Sequence, residues 1–162
     1  MKREQLSKSF FERLMSFRHE VRPGQKAIVT HEDRLKVAQQ VADILYSSFP
    51  GVIERVILYG STVKGTDTPK SDVDILVTLK GMPPRINEVY KEIIIPLKEA
   101  GIPLADPKLN RKFRRGKVSI EMIPEVVYQA PYRYIDQDSD PFGEAEFYLN
   151  TRKYGRELIS ST

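Results

Sequence analysis

Apolar residues recur at three- and four-residue steps at Leu6, Phe10, Leu14, Phe17 and Val21, with charges between them, which predicts a helix over 3–21. Arg22-Pro23-Gly24 stops it. A second helix is expected from near Thr30, where Thr30 and Asp33 have the spacing of a capping box. Val37, Val41, Ile44 and Leu45 form its apolar stripe, and Pro50-Gly51 ends it. The period then shortens. Strands are expected at about 53–59, about 72–79 and 118–123, the last closed by Pro124. Between the second and third strands, Ile86, Val89, Tyr90, Ile93, Ile94 and Leu97 mark a third helix, with Pro96 kinking or nearly ending it and Gly101 past its end. Gly116 suggests a hairpin turn. Residues 125–141 read as a long loop and 142–158 as a last helix. The link of about twelve residues between the first two strands is marginal for a parallel crossover. A mixed sheet with helices packed on one face, an α/β protein of α+β type, is the expected architecture. At 162 residues one domain is expected: a helical part over 1–50, a core over about 52–124, and a C-terminal loop and helix over 125–162.

Three acids break the pattern. Asp72 and Asp74 interrupt the second strand and Glu121 the third. An unpaired ion in a low-dielectric site costs several kcal/mol or more, so charge in a strand needs a reason. Alternation puts Asp72 and Asp74 on one side of the sheet, with Cα atoms about 6.6 Å apart, and turns Val73, Ile75 and Val77 toward the core. By the same phase Ser119 and Glu121 share one face of the third strand, with Val118, Ile120 and Met122 on the other. Two carboxylates so placed repel each other unless a cation lies between them, and Mg²⁺ is commonly held by one or two carboxylates plus substrate phosphates. A third carboxylate would allow two metals about 3.5–4 Å apart. Upstream, Gly60 would let a phosphate approach the backbone, Ser61 offers a hydroxyl and an N–H, and Lys64 lies one turn on. The order Lys64-Gly65-Thr66 is not that of a Walker loop.

Composition narrows the classes. The net charge of +4 and pI near 9.2 are compatible with phosphorylated or polyanionic partners. Lys108, Arg111, Lys112, Arg114, Arg115 and Lys117 concentrate part of that charge. With no cysteine, a disulfide framework, a Cys-ligated zinc and a Cys nucleophile are excluded, and an intracellular, cytoplasmic location is expected. The first thirty residues lack the apolar region of a signal peptide, and no apolar run approaches a membrane span of about 20 residues.

Leu58-Tyr-Gly-Ser61 followed by Asp72-Val-Asp74-Ile resembles the signature of the DNA polymerase β-like nucleotidyltransferase superfamily: hydrophobe-Gly-Ser, a spacer of about ten, then Asp-hydrophobe-Asp. Gly60-Ser-Thr-Val-Lys-Gly-Thr66 is similar to the form found in minimal nucleotidyltransferases, archaeal-type CCA-adding enzymes and oligoadenylate or cyclic-dinucleotide synthases. Val118-Ser-Ile-Glu-Met-Ile-Pro124 resembles their third-carboxylate strand, with Glu where Asp is usual. The resemblance implies a polymerase β palm-like fold. It implies that Asp72 and Asp74 ligate Mg²⁺ (or Mn²⁺) on a bound NTP, with ATP the expected nucleotide, and that Glu121 helps hold a second metal and activate the attacking hydroxyl. Gly60, Ser61, Lys64 and Ser71 would bind the nucleotide. The implied reaction is in-line transfer of a nucleoside monophosphate with loss of pyrophosphate. The acceptor stays open: an RNA end, a second nucleotide, a small molecule or a protein hydroxyl. With 41 residues after Glu121, no helical recognition bundle is expected. Recognition is expected from self-association, from the N-terminal helices or from a partner; minimal members of the family often pair with a small helical protein. Other functions compete: a nucleotide- or RNA-binding module with little or no transfer, an antitoxin-like partner of a helical protein, and a metal-dependent phosphohydrolase, disfavoured because His19 and His31 are the only histidines and sit in the N-terminal region.

Overall fold

The computed structural model describes residues 27–81, 86–106 and 115–161. The helix expected over 3–21 and most of the basic segment 108–117 lie outside them. The described chain runs α1 (His31–Ser48), β1 (Ile53–Tyr59), a single turn α2 (Ser61–Lys64), β2 (Val73–Leu79), α3 (Ile86–Glu99), β3 (Val118–Pro124), a short α4 (Glu125–Gln129), a 3-10 turn at Pro131–Arg133, α5 (Glu144–Tyr154) and β4 (Arg156–Leu158).

The strands form one mixed sheet in the order β3-β2-β1-β4. β1 is antiparallel to both β2 and β4, and β2 is parallel to β3. The short link from β1 to β2 therefore makes an antiparallel return, and the longer one through α3 makes the parallel crossover, as loop length requires.

α1 starts where the sequence places it. Thr30 Oγ1 accepts from the Asp33 N–H at 3.0 Å and Asp33 Oδ2 accepts from the Thr30 N–H at 3.2 Å, a reciprocal cap. Val37, Ala38, Val41, Ala42 and Leu45 are buried on the sheet face made by Val56 and Leu58 of β1, Val73, Ile75 and Val77 of β2, Val118 and Ile120 of β3, and Leu158 of β4. Ile93 and Leu97 of α3 join the same core. The two long helices thus cover one face, and alternation turns Asp74 of β2, with Asp72 just before the strand, to the other.

That second face carries a smaller cluster of Ile57, Leu76, Ile123 and Tyr128, against which Tyr59, Val127 and Tyr148 pack. It is covered at one end by α4, which the sequence reading merged into a loop. Arg55 of β1 anchors α4 through Glu125 (Nε–Oε1 2.7 Å) and reaches Glu157 of β4 at 3.1 Å. Burial raises the Glu125 pKa, but the neighbouring Thr78 hydroxyl and the hydrogen bonds from Arg55 and Gln129 outweigh it and leave the carboxyl below its usual range.

One further expectation changes. The last helix is Glu144–Tyr154, not 142–158, and the chain then forms β4. The break falls at Gly155, where a Cβ would collide with the Thr151 carbonyl and lie 2.8 Å from Ile57 Cγ2. Gly116 occupies a turn (φ +67°), and Leu104 bridges Val118 in the parallel sense; the stretch that would pair with β3 in a hairpin lies outside the described residues.

Candidate active site

β1 ends at Tyr59, whose register partner on β2 is Asp74. Gly60 follows with φ 81° and ψ −154°, a conformation essentially reserved for glycine. A Cβ on Gly60 would collide with Asp74 Oδ2. The glycine backbone and the aspartate carboxylate are therefore in contact. Ser61–Lys64 then makes one helical turn, closed by Gly65 in the left-handed region (φ 71°, ψ 18°). The Lys64 N–H donates to the Gly60 carbonyl at 3.3 Å and the Thr66 N–H to the Ser61 carbonyl at 3.1 Å. The first N–H groups of such a turn have no acceptor within it and suit an anion.

The spacer from Gly65 to Asp72 is held at two points. The side chain of Asp67, in its middle, is 3% exposed and accepts from Arg34 Nε of α1 at 2.6 Å; the Arg34 side chain is itself 2% exposed. Arg34 also donates from Nη1 to the Val29 carbonyl at 3.0 Å, and His31 Nδ1 lies 2.8 and 2.9 Å from the two Asp67 oxygens. Burial alone would raise the Asp67 carboxyl, but the Arg34 and His31 hydrogen bonds prevail and hold it below the ordinary range. Nearer β2, the Ser71 hydroxyl accepts from the Thr68 N–H at 2.8 Å and the Ser71 N–H donates to the Thr68 carbonyl at 2.9 Å. Ser71 thus shapes the turn that delivers Asp72.

Asp72 accepts from the Ser119 hydroxyl of β3 at 3.4 Å. In the parallel register Asp74 stands beside Ser119, and Glu121 beside Leu76. Glu121 shares the face of the two aspartates. Two residues along a strand is about 6.6 Å and one strand across about 4.8 Å, so its Cα lies roughly 8 Å from that of Asp74 on the diagonal. Among the described residues no three acidic or imidazole side chains converge closely enough to hold a metal ion. Gly60, Asp74, Asp72 and Ser119 are brought together; Glu121 is on the same face one step further on; Lys64 is exposed at the end of its turn. Two hard carboxylates beside a backbone open to close approach fit a divalent cation shared with phosphate oxygens, the donor set typical of Mg²⁺.

Aromatic rings flank the acids. Tyr59 meets Phe147 of α5 edge to face at 5.2 Å, and Phe147 meets Tyr148 at 5.4 Å. Burial, with the negative charges of Glu121, Glu144 and Asp140, pushes the Tyr148 hydroxyl up to about 12. Asp140 caps α5, accepting from the Glu144 and Ala145 N–H groups at 2.9 and 3.0 Å.

Sequence reasoning passed over Arg34 and Asp67, and placed Ser119 on the face of Glu121 without giving it a role. Arg34 had a legible signal, since it falls in phase with Val37, Ala38 and Val41 on the apolar stripe of α1, and a charge there needs a partner. Nothing local marked Asp67 as that partner, 33 residues away.

The site can be set beside known proteins. No curated protein matches the chain. Among solved structures, a protein of Sulfolobus solfataricus, whose own assignment as a nucleotidyltransferase is an inference, is 25% identical, with 61% of this chain and 74% of that one covered and a TM-score of 0.41. Residues 38–137, which hold Gly60-Ser61, Asp72, Asp74 and Glu121, match the nucleotidyltransferase domain. That match spans most of the described chain and the whole of the acid-bearing face, and by it this chain belongs to the nucleotidyltransferase domain family, within the DNA polymerase β-like superfamily.

Proposed function

We propose that the chain transfers a nucleoside monophosphate from an NTP, with ATP the expected donor, to a hydroxyl acceptor and releases pyrophosphate. The observation that carries this reading is the contact of Gly60 with Asp74, which sets a backbone that a phosphate can approach directly beside a carboxylate that can share a cation with it. Gly60 and the Ser61 turn would bind the β- and γ-phosphates through backbone N–H groups and the Ser61 hydroxyl. Lys64, exposed at the end of that turn, would add a positive charge. Asp72, oriented by Ser119, and Asp74 would hold Mg²⁺ or Mn²⁺. When bound, the ion neutralises charge on the triphosphate and polarises the reacting phosphorus centre. Ser71 would act by holding the turn before Asp72 rather than by touching nucleotide. Glu121 would lie on the acceptor side and take the proton of the attacking hydroxyl.

A second reading is favoured by the placement of Glu121. A longer acid one step from the aspartates suits a module that binds nucleotide with little transfer. One assay addresses both. The protein is incubated with each α-labelled NTP, Mg²⁺ or Mn²⁺, and RNA, nucleotide and protein acceptors, beside Asp74→Ala and Glu121→Gln. Label transfer with pyrophosphate release, abolished in Asp74→Ala and reduced about 10²-fold or more in Glu121→Gln, is the expected result, since general-base catalysis contributes about 10²–10⁴. Equal activity of Asp74→Ala and the unmodified protein would overturn the proposal. Nucleotide binding without transfer would establish the second reading, and release of free phosphate would indicate hydrolysis.

A further inference from the structure

We propose that Arg34 and Asp67 are positioning residues for the nucleotide-binding loop: their buried pair, joined by His31, latches the spacer between Gly60-Ser61 and Asp72 onto the first turns of α1. The proposal rests on the nucleotidyl-transfer reading above.

Three observations lead to it. The two side chains are almost completely buried although Asp67 lies in a loop whose neighbours Lys64, Gly65, Thr66, Thr68, Pro69 and Lys70 are all exposed. The spacer thus buries little else, and a loop with few buried contacts sits at the low-stability end of a fold unless it is tied down. The contacts are also directional. Asp67 receives Arg34 Nε at 2.6 Å and His31 Nδ1 at 2.8 Å, while the second Arg34 bond, to the Val29 carbonyl, fixes the guanidinium itself. Finally, Asp67 lies midway between the two halves of the site. On one side the N–H of Thr66 holds the Ser61 carbonyl, and on the other the Thr68–Ser71 turn leads to Asp72. Releasing Asp67 would loosen both the phosphate cradle and the entry to the metal-binding strand. A buried ion pair adds little net stability over apolar residues of the same size, so what it supplies here is geometry.

The test uses the full chain and the double variant Arg34→Met/Asp67→Leu, which removes both charges and leaves neither buried alone. Thermal unfolding confirms the fold. Two readouts follow: kcat and KM for the NTP, with its equilibrium Kd, and the rate of tryptic cleavage after Lys64 and Lys70, followed by mass spectrometry. A misplaced binding loop is expected to raise KM and Kd about tenfold or more with kcat changed less, and to speed cleavage at the two lysines about tenfold. A purely structural pair would leave the nucleotide constants of a folded variant unchanged. A folded double variant with cleavage as in the unmodified protein, or with faster cleavage but the same Kd, KM and kcat, overturns the proposal. If the double variant does not fold, Asp67→Asn is judged by the same measures and limits. If the unmodified protein transfers no nucleotide to any acceptor, the transfer reading fails, while cleavage and NTP Kd still decide for or against the latch.

Discussion

Gly60→Ala separates two costs that usually arrive together. At φ 81° and ψ −154° any other residue is strained, and here the new methyl would also strike Asp74 Oδ2. Gly51 is the control. It too has a positive φ (79°), but a Cβ there meets nothing within 4 Å, and it lies in the turn before β1, away from the acids. Gly51→Ala should show the backbone cost alone, about 1–2 kcal/mol, or a fall in Tm of roughly 2–8 °C for a chain of this size. Gly60→Ala should add an overpacking cost of about 1–3 kcal/mol, for a total of roughly 2–5 kcal/mol. The collision partner is a side chain, so Asp74 can instead rotate away; the stability loss then approaches that of Gly51→Ala while the carboxylate leaves its place. In either case kcat/KM for transfer should fall about 10²-fold or more, since displacing a reacting-site group by about 1 Å costs that much. Urea denaturation and the labelled-NTP assay, run on both variants, check this. A Gly60→Ala protein that matches Gly51→Ala in stability and keeps its kcat/KM would refute the reasoning.

Other outcomes follow from the same geometry. Arg34→Met alone leaves Asp67 buried and charged and should cost about 3–5 kcal/mol in urea denaturation, with much of that loss recovered in Arg34→Met/Asp67→Leu. The Asp67 pKa is lowered from 3.8 in the folded chain, so its contribution is present above that value and is lost as pH falls through and below it. The double variant should therefore lose less stability than the unmodified protein between about pH 6 and pH 3, as measured by denaturation. For Tyr148 the sign is opposite: its pKa is raised from 10.0 to about 12, so its contribution is complete below pH 10 and declines above it, and Tyr148→Phe should be less sensitive to alkali in thermal melts at pH 9–11. Gly155→Ala should cost about 1–3 kcal/mol in urea denaturation, because the Thr151 carbonyl and Ile57 leave no room for a methyl.

Much of this was legible in the sequence because local physics decided it. The Thr30–Asp33 cap, the strand over 53–59 and the turning of Asp72 and Asp74 away from Val73, Ile75 and Val77 each depend on neighbours within a few residues. What the pattern did not reveal depends on distance along the chain or on register. Alternation gives the face on which Glu121 lies, but only the β2–β3 pairing fixes its level, beside Leu76 and not beside Asp74. β4 has three residues, too few for alternation to show, and it reads as the continuation of a helix until Ile57 is known to press against Gly155. Asp67 looks like an ordinary surface charge until the fold brings its loop onto Arg34 at the start of α1.

The place of β4 in the sheet has a consequence for synthesis. Its register partner for Glu157 is Ile57, 100 residues earlier, so β1 leaves the ribosome with its outer edge open. At about 5–20 residues per second, that edge waits roughly 5–20 s for its neighbour, and an unpaired strand edge is a template for association with other chains. α1 offers interim cover. The Tyr46 hydroxyl accepts from the Val56 N–H and donates to the Leu158 carbonyl, both at 3.0 Å. Its first bond can form as soon as β1 emerges, and its second only when β4 arrives. Tyr46 thus guards the nascent sheet before it fastens the finished one, and a Tyr46→Phe chain would be expected to aggregate more during expression than its equilibrium stability alone accounts for.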